Sequence, residues 1–181
     1  IEQLLEINNH AQYLSKTIND FRHFFKPDNP QEMVMMDEII ENTLSIVGRS
    51  IEYKNISLIK NYSFKNKIST YPRELMQVFL NLLKNATDVL VERNIQQPKV
   101  IINGFEKDGY QIIEVIDNGG GVDEDIMDKI FAPYYSTKGP AKGTGLGLYM
   151  SKTIVEQHCR GRIKVSNRKD GACFTVELPI N

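Results

Sequence analysis

The run Gly143-Thr144-Gly145-Leu146-Gly147-Leu148 sets three alternating glycines directly ahead of a helical pattern. Glycine reaches backbone angles closed to other residues and lets a ligand approach the main chain. A helix entered this way presents unpaired N–H groups and the positive end of its dipole, which suits a phosphate. The plainer alternative is a tight loop with a glycine helix entry. No Gly-Lys-Ser/Thr occurs, so this is not a P-loop, and no strand precedes it as a dinucleotide fingerprint requires. A second run, Asp117-Asn118-Gly119-Gly120-Gly121, ends an apolar stretch. A carboxylate there can accept a hydrogen bond from an exocyclic amine such as that of adenine, and the glycines let a planar base lie near the backbone. A strand-ending turn with Asp117 as its cap is the alternative, but three consecutive glycines exceed what a turn needs.

Asn81 and Asn85 are four residues apart and share one helix face. Asparagine is a mediocre helix former, so two on one face of an apolar helix need a reason. An amide oxygen is a suitable hard ligand for Mg²⁺, which takes few protein ligands beside substrate phosphates. Lys84 between them adds a point charge toward phosphate. A pair of surface amides is the competing reading. Residues 131–138, Phe-Ala-Pro-Tyr-Tyr-Ser-Thr-Lys, lie between the two glycine runs. They offer the hydrophobic anchors and hinges of a lid, or an aromatic-rich structural loop.

These groups need elements to hold them. Apolar residues at spacings of three and four over 1–26 (Leu4, Ile7, Ala11, Leu14, Ile18, Phe21 and Phe25) form a heptad seam that must pack on another helix. Pro27 and the turn before Pro30 end it and mark a domain boundary. Residues 33–36 read as a short strand, and Asp37 as the cap of a helix reaching Tyr53. Residues 56–62 and 67–70 read as strands. Pro72 opens a helix in its first turn, with Leu75, Val78, Phe79, Leu82, Leu83, Ala86 and Leu90 on the buried face. Residues 100–105 and 111–117 flank Lys107-Asp108-Gly109 as a hairpin. A short helix is expected at 124–130, a loop at 132–144, a helix at 145–158, and a closing hairpin of 162–168 and 172–178. Hairpins mixed with helices fit a helix layer on one face of a mixed sheet.

Composition narrows the partners. The 181 residues suffice for one domain and a short appendage. Lys and Arg number 22 against 23 Asp and Glu, for a net charge of −1, so no basic excess exists to attract nucleic acid over a broad face. A small anion can still be held locally. Cys159 and Cys173 have no metal-ligand spacing and suggest no disulfide framework, which points to reduced thiols and a cytosolic setting. No apolar run approaches a membrane span, and no signal peptide is visible. The chain begins at Ile1 within a helical pattern, so a longer parent is expected.

The order of these features resembles the N, G1, F and G2 boxes of the sensor histidine kinases, within the wider group of gyrase B, Hsp90, histidine kinase and MutL ATPases. The pattern Asp-x-Gly-x-Gly is met by Asp117, Gly119 and Gly121, and the second glycine box by Gly143, Gly145 and Gly147. Phe174-Thr175 followed by Leu178-Pro179 looks like the family's last strand, whose threonine supports the adenine site. The likeness covers about residues 31–180, and the heptad segment looks like the second helix of a dimerisation hairpin.

The resemblance implies the Bergerat fold, an α/β (α+β) two-layer sandwich, over 31–181, with an N-terminal dimerisation helix over 1–27 and an ATP lid at about 122–144. It implies ATP and Mg²⁺ as cofactors. Asn81, Lys84 and Asn85 would serve catalysis, Asn85 as the Mg²⁺ ligand. Asp117 would read the adenine amine, with Gly119, Gly121, Lys138, Gly143 and Thr144 around the nucleotide. Gly145, Leu146, Gly147, Leu148 and Thr175 complete the implied pocket. Asn81 stands where gyrase-type members carry a glutamate base. An amide cannot abstract a proton from water, so transfer to an acceptor is favoured over hydrolysis. The implied acceptor is a histidine beside an acidic residue, and then an aspartate of a response-regulator receiver domain.

None of the histidines, His10, His23 and His158, precedes an acidic residue, and His10 and His23 read as solvated helix positions. The acceptor is therefore expected to be absent from this fragment, which should bind ATP without phosphorylating itself. The parent is expected to be a homodimer, cytoplasmic or anchored in the inner membrane, with no nucleic-acid partner. A clamp ATPase of the Hsp90 or MutL kind would need glutamate in place of Asn81. A serine kinase of the anti-sigma type lacks the helical appendage, and a degenerate ATP-binding dimer would not need the intact boxes.

Overall fold

The computed structural model describes residues 30–137 and 144–180. The heptad segment, the proposed boundary at 27, and Lys138 and Gly143 lie outside the described residues.

Two-residue alternation builds the sheet. β4 (Lys99–Lys107) and β5 (Tyr110–Asp117) form the expected hairpin, turning through Asp108 at φ 51° and Gly109 at φ 79°. Val100 and Ile102 on β4, and Ile113 and Val115 on β5, are buried on one face. β5 pairs antiparallel with β7 (Gly171–Pro179), and β7 with β6 (Arg162–Arg168). β2 (Ser57–Tyr62) runs parallel to β4. The mixed sheet therefore has the order β2-β4-β5-β7-β6. β1 (Glu32–Val34) and β3 (Ile68–Thr70) form a separate antiparallel ribbon.

Helices cover the apolar face, as the sequence predicts. They are α1 (Met36–Tyr53), α2 (Pro72–Glu92) and α3 (Gly147–Thr153), the last continuing as a π-helical turn, Ile154–His158. The predicted apolar stripe of α2 is buried throughout. Leu75, Val78 and Leu82 are fully enclosed between the sheet and the other helices. The opposite face of the sheet carries a polar row. Asn61 Nδ2 donates to Asn103 Oδ1 at 3.3 Å, Asn103 Nδ2 to Glu114 Oε2 at 3.2 Å, and Arg168 Nη2 to Glu114 Oε1 at 2.7 Å. Among the described residues no helix is long and apolar enough to cross a membrane.

Four local expectations are corrected. The strand expected at 33–36 is Glu32–Val34, and Met36 already belongs to α1. Met36 is fully buried and extends the helical spacing of Ile39 and Ile40 by one turn, so packing favours helix there. Asp37 is not the cap; Met35 holds that position, and no side-chain cap bond is made. Burial pushes the Asp37 carboxyl above the ordinary value, opposed by the nearby Phe64 backbone. The helix expected at 124–130 is a single 3₁₀ turn, Glu124–Ile126, followed by further hydrogen-bonded turns. The helix expected from 145 starts at Gly147, because Gly145 has φ +67° and cannot be a helical residue.

Glu106 ties the loop after β2 to the central hairpin. Its Oε1 accepts from the backbone N–H groups of Lys65 and Asn66, both at 2.9 Å, and from Gln111 Nε2 at 3.2 Å. Its Oε2 accepts from Asn66 Nδ2 at 2.7 Å. These donors, led by the Asn66 backbone, hold its carboxyl below the ordinary value of 4.5. The stabilisation is therefore present above pH 4.5 and is lost as the pH falls through the lowered folded value. Glu106→Gln should lower Tm at pH 7 by roughly 2–4 °C, the effect of about 1 kcal/mol in a chain of this size. Thermal melts should show that difference shrinking in acid. An unchanged difference at low pH would show that the charge is not its source.

Candidate functional site

A cavity of about 590 Å³ opens between α2, the start of α3, the end of β5 and the segment after it. From α2 come Asn81, Lys84 and Asn85, and from the end of β5 comes Asp117. Gly121, Thr144, Gly145, Gly147 and Leu148 complete the predicted residues that line it. Leu146 does not line it; its side chain is buried beneath, at 1% exposure.

Asp117 is the most enclosed ionisable group of the cavity, at 6% exposure. Its Oδ1 accepts from Gly119 N at 2.7 Å and from Ala172 N at 3.4 Å. Burial raises its carboxyl above the ordinary value, opposed by those two N–H groups and by the Arg93 charge. Among the described residues Oδ2 makes no hydrogen bond. Gly119 thus serves the site through its N–H and is not a wall of the cavity. β7 passes so close that a Cβ on Gly171 would stand 1.9 Å from the Asp117 carbonyl oxygen.

The α2 residues divide. Asn81 Nδ2 donates to Ser151 Oγ at 3.0 Å, and Ser151 Oγ donates to the Gly147 carbonyl at 3.0 Å. Asn81 therefore fastens α2 to α3 at the cavity wall. Gly147 is what permits that approach, since a Cβ there would fall 2.3 Å from Asn81 Oδ1. Lys84 Nζ pairs with Asp88 Oδ2 at 2.7 Å one turn along the helix. Asn85 is half-buried, and among the described residues its amide makes no hydrogen bond.

The aromatic segment closes over this floor. A Cβ on Gly145 would lie 2.4 Å from the Tyr134 carbonyl carbon, so only glycine lets the segment come down here. Phe131 meets Phe174 edge-on at 6.4 Å, and Lys152 Nζ stands 5.6 Å from the Phe131 ring centre. Thr144 Oγ1 accepts from Leu146 N at 3.4 Å.

Thr175 is a correction. It lies on the face of the sheet away from the helices, opposite Glu114, with its Oγ1 3.7 Å from Cys173 Sγ. Strand alternation puts Ala172 and Phe174 on the cavity side and Thr175 on the other. His158, expected at a helix end, sits in the π-helical turn with Nδ1 2.6 Å from Glu74 Oε2.

Three residues that hold the glycine turn were not picked out from sequence. Arg93 Nη1 donates to the carbonyls of Gly119 at 2.6 Å and Gly121 at 3.4 Å. Asn118 Oδ1 accepts from Lys99 N at 2.8 Å. Asn167 accepts from Val122 N and donates to Val122 O, both at 2.8 Å. Only the excess of glycines signalled that the turn needs outside support.

A layer of helices covers one face of this mixed sheet, and the cavity lies between an asparagine-bearing helix and two glycine turns. Residues 70–181 match the family described as histidine kinase-, DNA gyrase B-, and HSP90-like ATPase, and the chain belongs to that family. It is similar to the signal transduction histidine-protein kinase AtoS of Escherichia coli (strain K12), 34% identical over 186 residues, 95% of this chain and 29% of AtoS. It is similar to the sensor histidine kinase ZraS of Salmonella typhimurium, 33% identical over 174 residues, 94% of this chain and 36% of ZraS. The chain thus spans about a third of the length of these curated relatives. Among solved structures, the nucleotide-free catalytic domain of histidine kinase ThkA superposes with a TM-score of 0.73 at 26% identity, covering 82% of this chain and 95% of that one.

Proposed function

We propose that this chain is the ATP-binding catalytic part of a sensor histidine kinase, moving the γ-phosphoryl group of ATP to a histidine outside it. A response-regulator aspartate would then receive the group. One observation carries the reading: Asp117 keeps one carboxylate oxygen unspent at one side of the cavity, and Asn85 keeps its whole amide unspent on the wall from α2. An unpaired carboxylate suits an exocyclic amine, and an unpaired amide oxygen suits a cation.

Mg²⁺ fits this chain through Asn85, whose amide has no competing bond; among the described residues no cluster of three or more His, Cys, Asp or Glu exists to hold a metal instead. The ion would neutralise charge on the phosphates, which is most of what phosphoryl transfer asks of an enzyme. The chain's own residues do the rest. Asp117 orients the base, Gly145 and Gly147 leave the phosphates close to the main chain, and the segment carrying Phe131 excludes water. Asn81 is bonded to Ser151 and has no proton-accepting group, so transfer to an acceptor is favoured over hydrolysis. We propose residues 1–27 as the dimerisation segment and 31–181 as the catalytic domain. The parent would act as a homodimer with this domain in the cytoplasm.

The test supplies an acceptor. With ATP and Mg²⁺, the chain should phosphorylate a histidine on an added dimerisation hairpin, giving an acid-labile phosphate seen by mass spectrometry. It should not label itself. Asn85→Ala should slow transfer by about 100-fold, the usual cost of losing one group that stabilises transition-state charge. Release of free phosphate at equal rates with and without acceptor would overturn the proposal in favour of a hydrolysing ATPase.

A further inference from the structure

We propose that Arg93 is a positioning residue for adenine recognition, holding the glycine turn so that Asp117 presents its unspent oxygen to the base. The inference rests on the reading that the cavity takes ATP.

The turn after β5 has little rigidity of its own. Gly120 has φ +89° and Gly121 φ +79°, and glycine loses more freedom on ordering than any other residue. Something outside must fix the peptide planes. Arg93 is the residue that follows α2, and its Nη1 reaches two carbonyls of the turn, at 2.6 and 3.4 Å. Gly120 N donates to the Asp170 carbonyl at 2.9 Å and pins the peptide between them. With the Gly119 carbonyl drawn to Arg93, the Gly119 N–H remains on Asp117 Oδ1 at 2.7 Å. That bond sets the carboxylate plane and leaves Oδ2 on the cavity side.

Charge adds a second effect. Arg93 is the cation whose field favours the ionised form of Asp117, against the burial that disfavours it. Only the ionised form is purely an acceptor. A carboxylate oxygen held in that position accepts from the exocyclic amine of adenine and repels the O6 of guanine. Arg93 therefore acts on affinity and on the choice between adenine and guanine. Its side chain also lines the cavity, so it is close enough to act on the bound base's surroundings directly.

The experiment titrates the chain with the non-hydrolysable analogues of ATP and of GTP in the presence of Mg²⁺. Binding of the ATP analogue by the unaltered chain reports on the underlying reading; the variants report on Arg93. Arg93→Met should weaken the ATP analogue about tenfold and narrow the preference over the GTP analogue by a similar factor, the effect of losing a charge-assisted contact. Arg93→Lys keeps the charge and a donor and should restore most of the preference. Should Arg93→Met fail to fold, Arg93→Gln, which keeps donors without charge, should narrow the preference in its place. A preference unchanged in Met and Gln variants, or one lost equally in the Lys variant, would overturn the inference.

Discussion

Asp117→Asn should all but abolish nucleotide binding while leaving the unliganded chain as stable as before, or more so. The Gly119 and Ala172 N–H groups both require an acceptor at Oδ1. The amide must therefore place its oxygen there and its NH₂ where Oδ2 stood. That donor would face the exocyclic amine of adenine, also a donor. Affinity loses a charged acceptor and gains a donor–donor conflict, together about 100-fold. Stability moves the other way. Burial raises the folded carboxyl above its ordinary 3.8, so the folded chain binds a proton more tightly than the unfolded one. The associated cost is absent below pH 3.8 and present once the pH exceeds the raised folded value. A neutral amide removes it. Melting curves should show Tm equal or higher at pH 7, with the advantage shrinking toward pH 3.8. A lower Tm at pH 7 would mark Asp117 as a structural group.

Gly171→Ala should be the most damaging small substitution in the described fold. The added Cβ would stand 1.9 Å from the Asp117 carbonyl oxygen, 2.6 Å from its carbon and 2.8 Å from Asn118 Cα. All three are backbone atoms, so no rotamer can yield. β7 must move away from the end of β5, and the Ala172 N–H moves with it. Overpacking of this kind costs about 3 kcal/mol, which is roughly 6–12 °C in Tm for a chain of this length. Nucleotide affinity should fall as well, since Asp117 loses a partner. Gly48→Ala supplies the control. Nothing lies within 4 Å of a Cβ there, in the middle of α1, and the helix should gain up to about 1 kcal/mol. Equal melting of the two variants would contradict the steric account.

Gly171 also shows what sequence could and could not convey. Its place after Asp170 reads as a turn glycine, yet the structure needs it for close approach between β7 and the end of β5. Local periodicity was legible: the α2 stripe from Leu75 to Leu90 and the hairpin through Gly109 stand where the spacing puts them. Pairing between β5 and β7 joins distant segments, and no local pattern encodes it. The same limit governs the site. Asp117, Asn85, Gly145 and Gly147 fall around one cavity because motif spacing follows the elements that carry them. Thr175 fell on the wrong face because one residue of offset in a strand reverses the side chain's direction. Arg93 and Asn167 reach partners 26 and 45 residues away, so their roles exist only after folding.

The central claim is that this chain binds ATP with Mg²⁺ in the cavity bounded by Asn85, Asp117 and the two glycine turns. Isothermal calorimetry with a non-hydrolysable ATP analogue tests it most directly. The account predicts one saturable site per chain, strengthened by Mg²⁺ and lost in Asp117→Asn, whose Tm is equal or higher. No saturable heat with Mg²⁺ present, or equal binding by the Asp117→Asn chain, would contradict it.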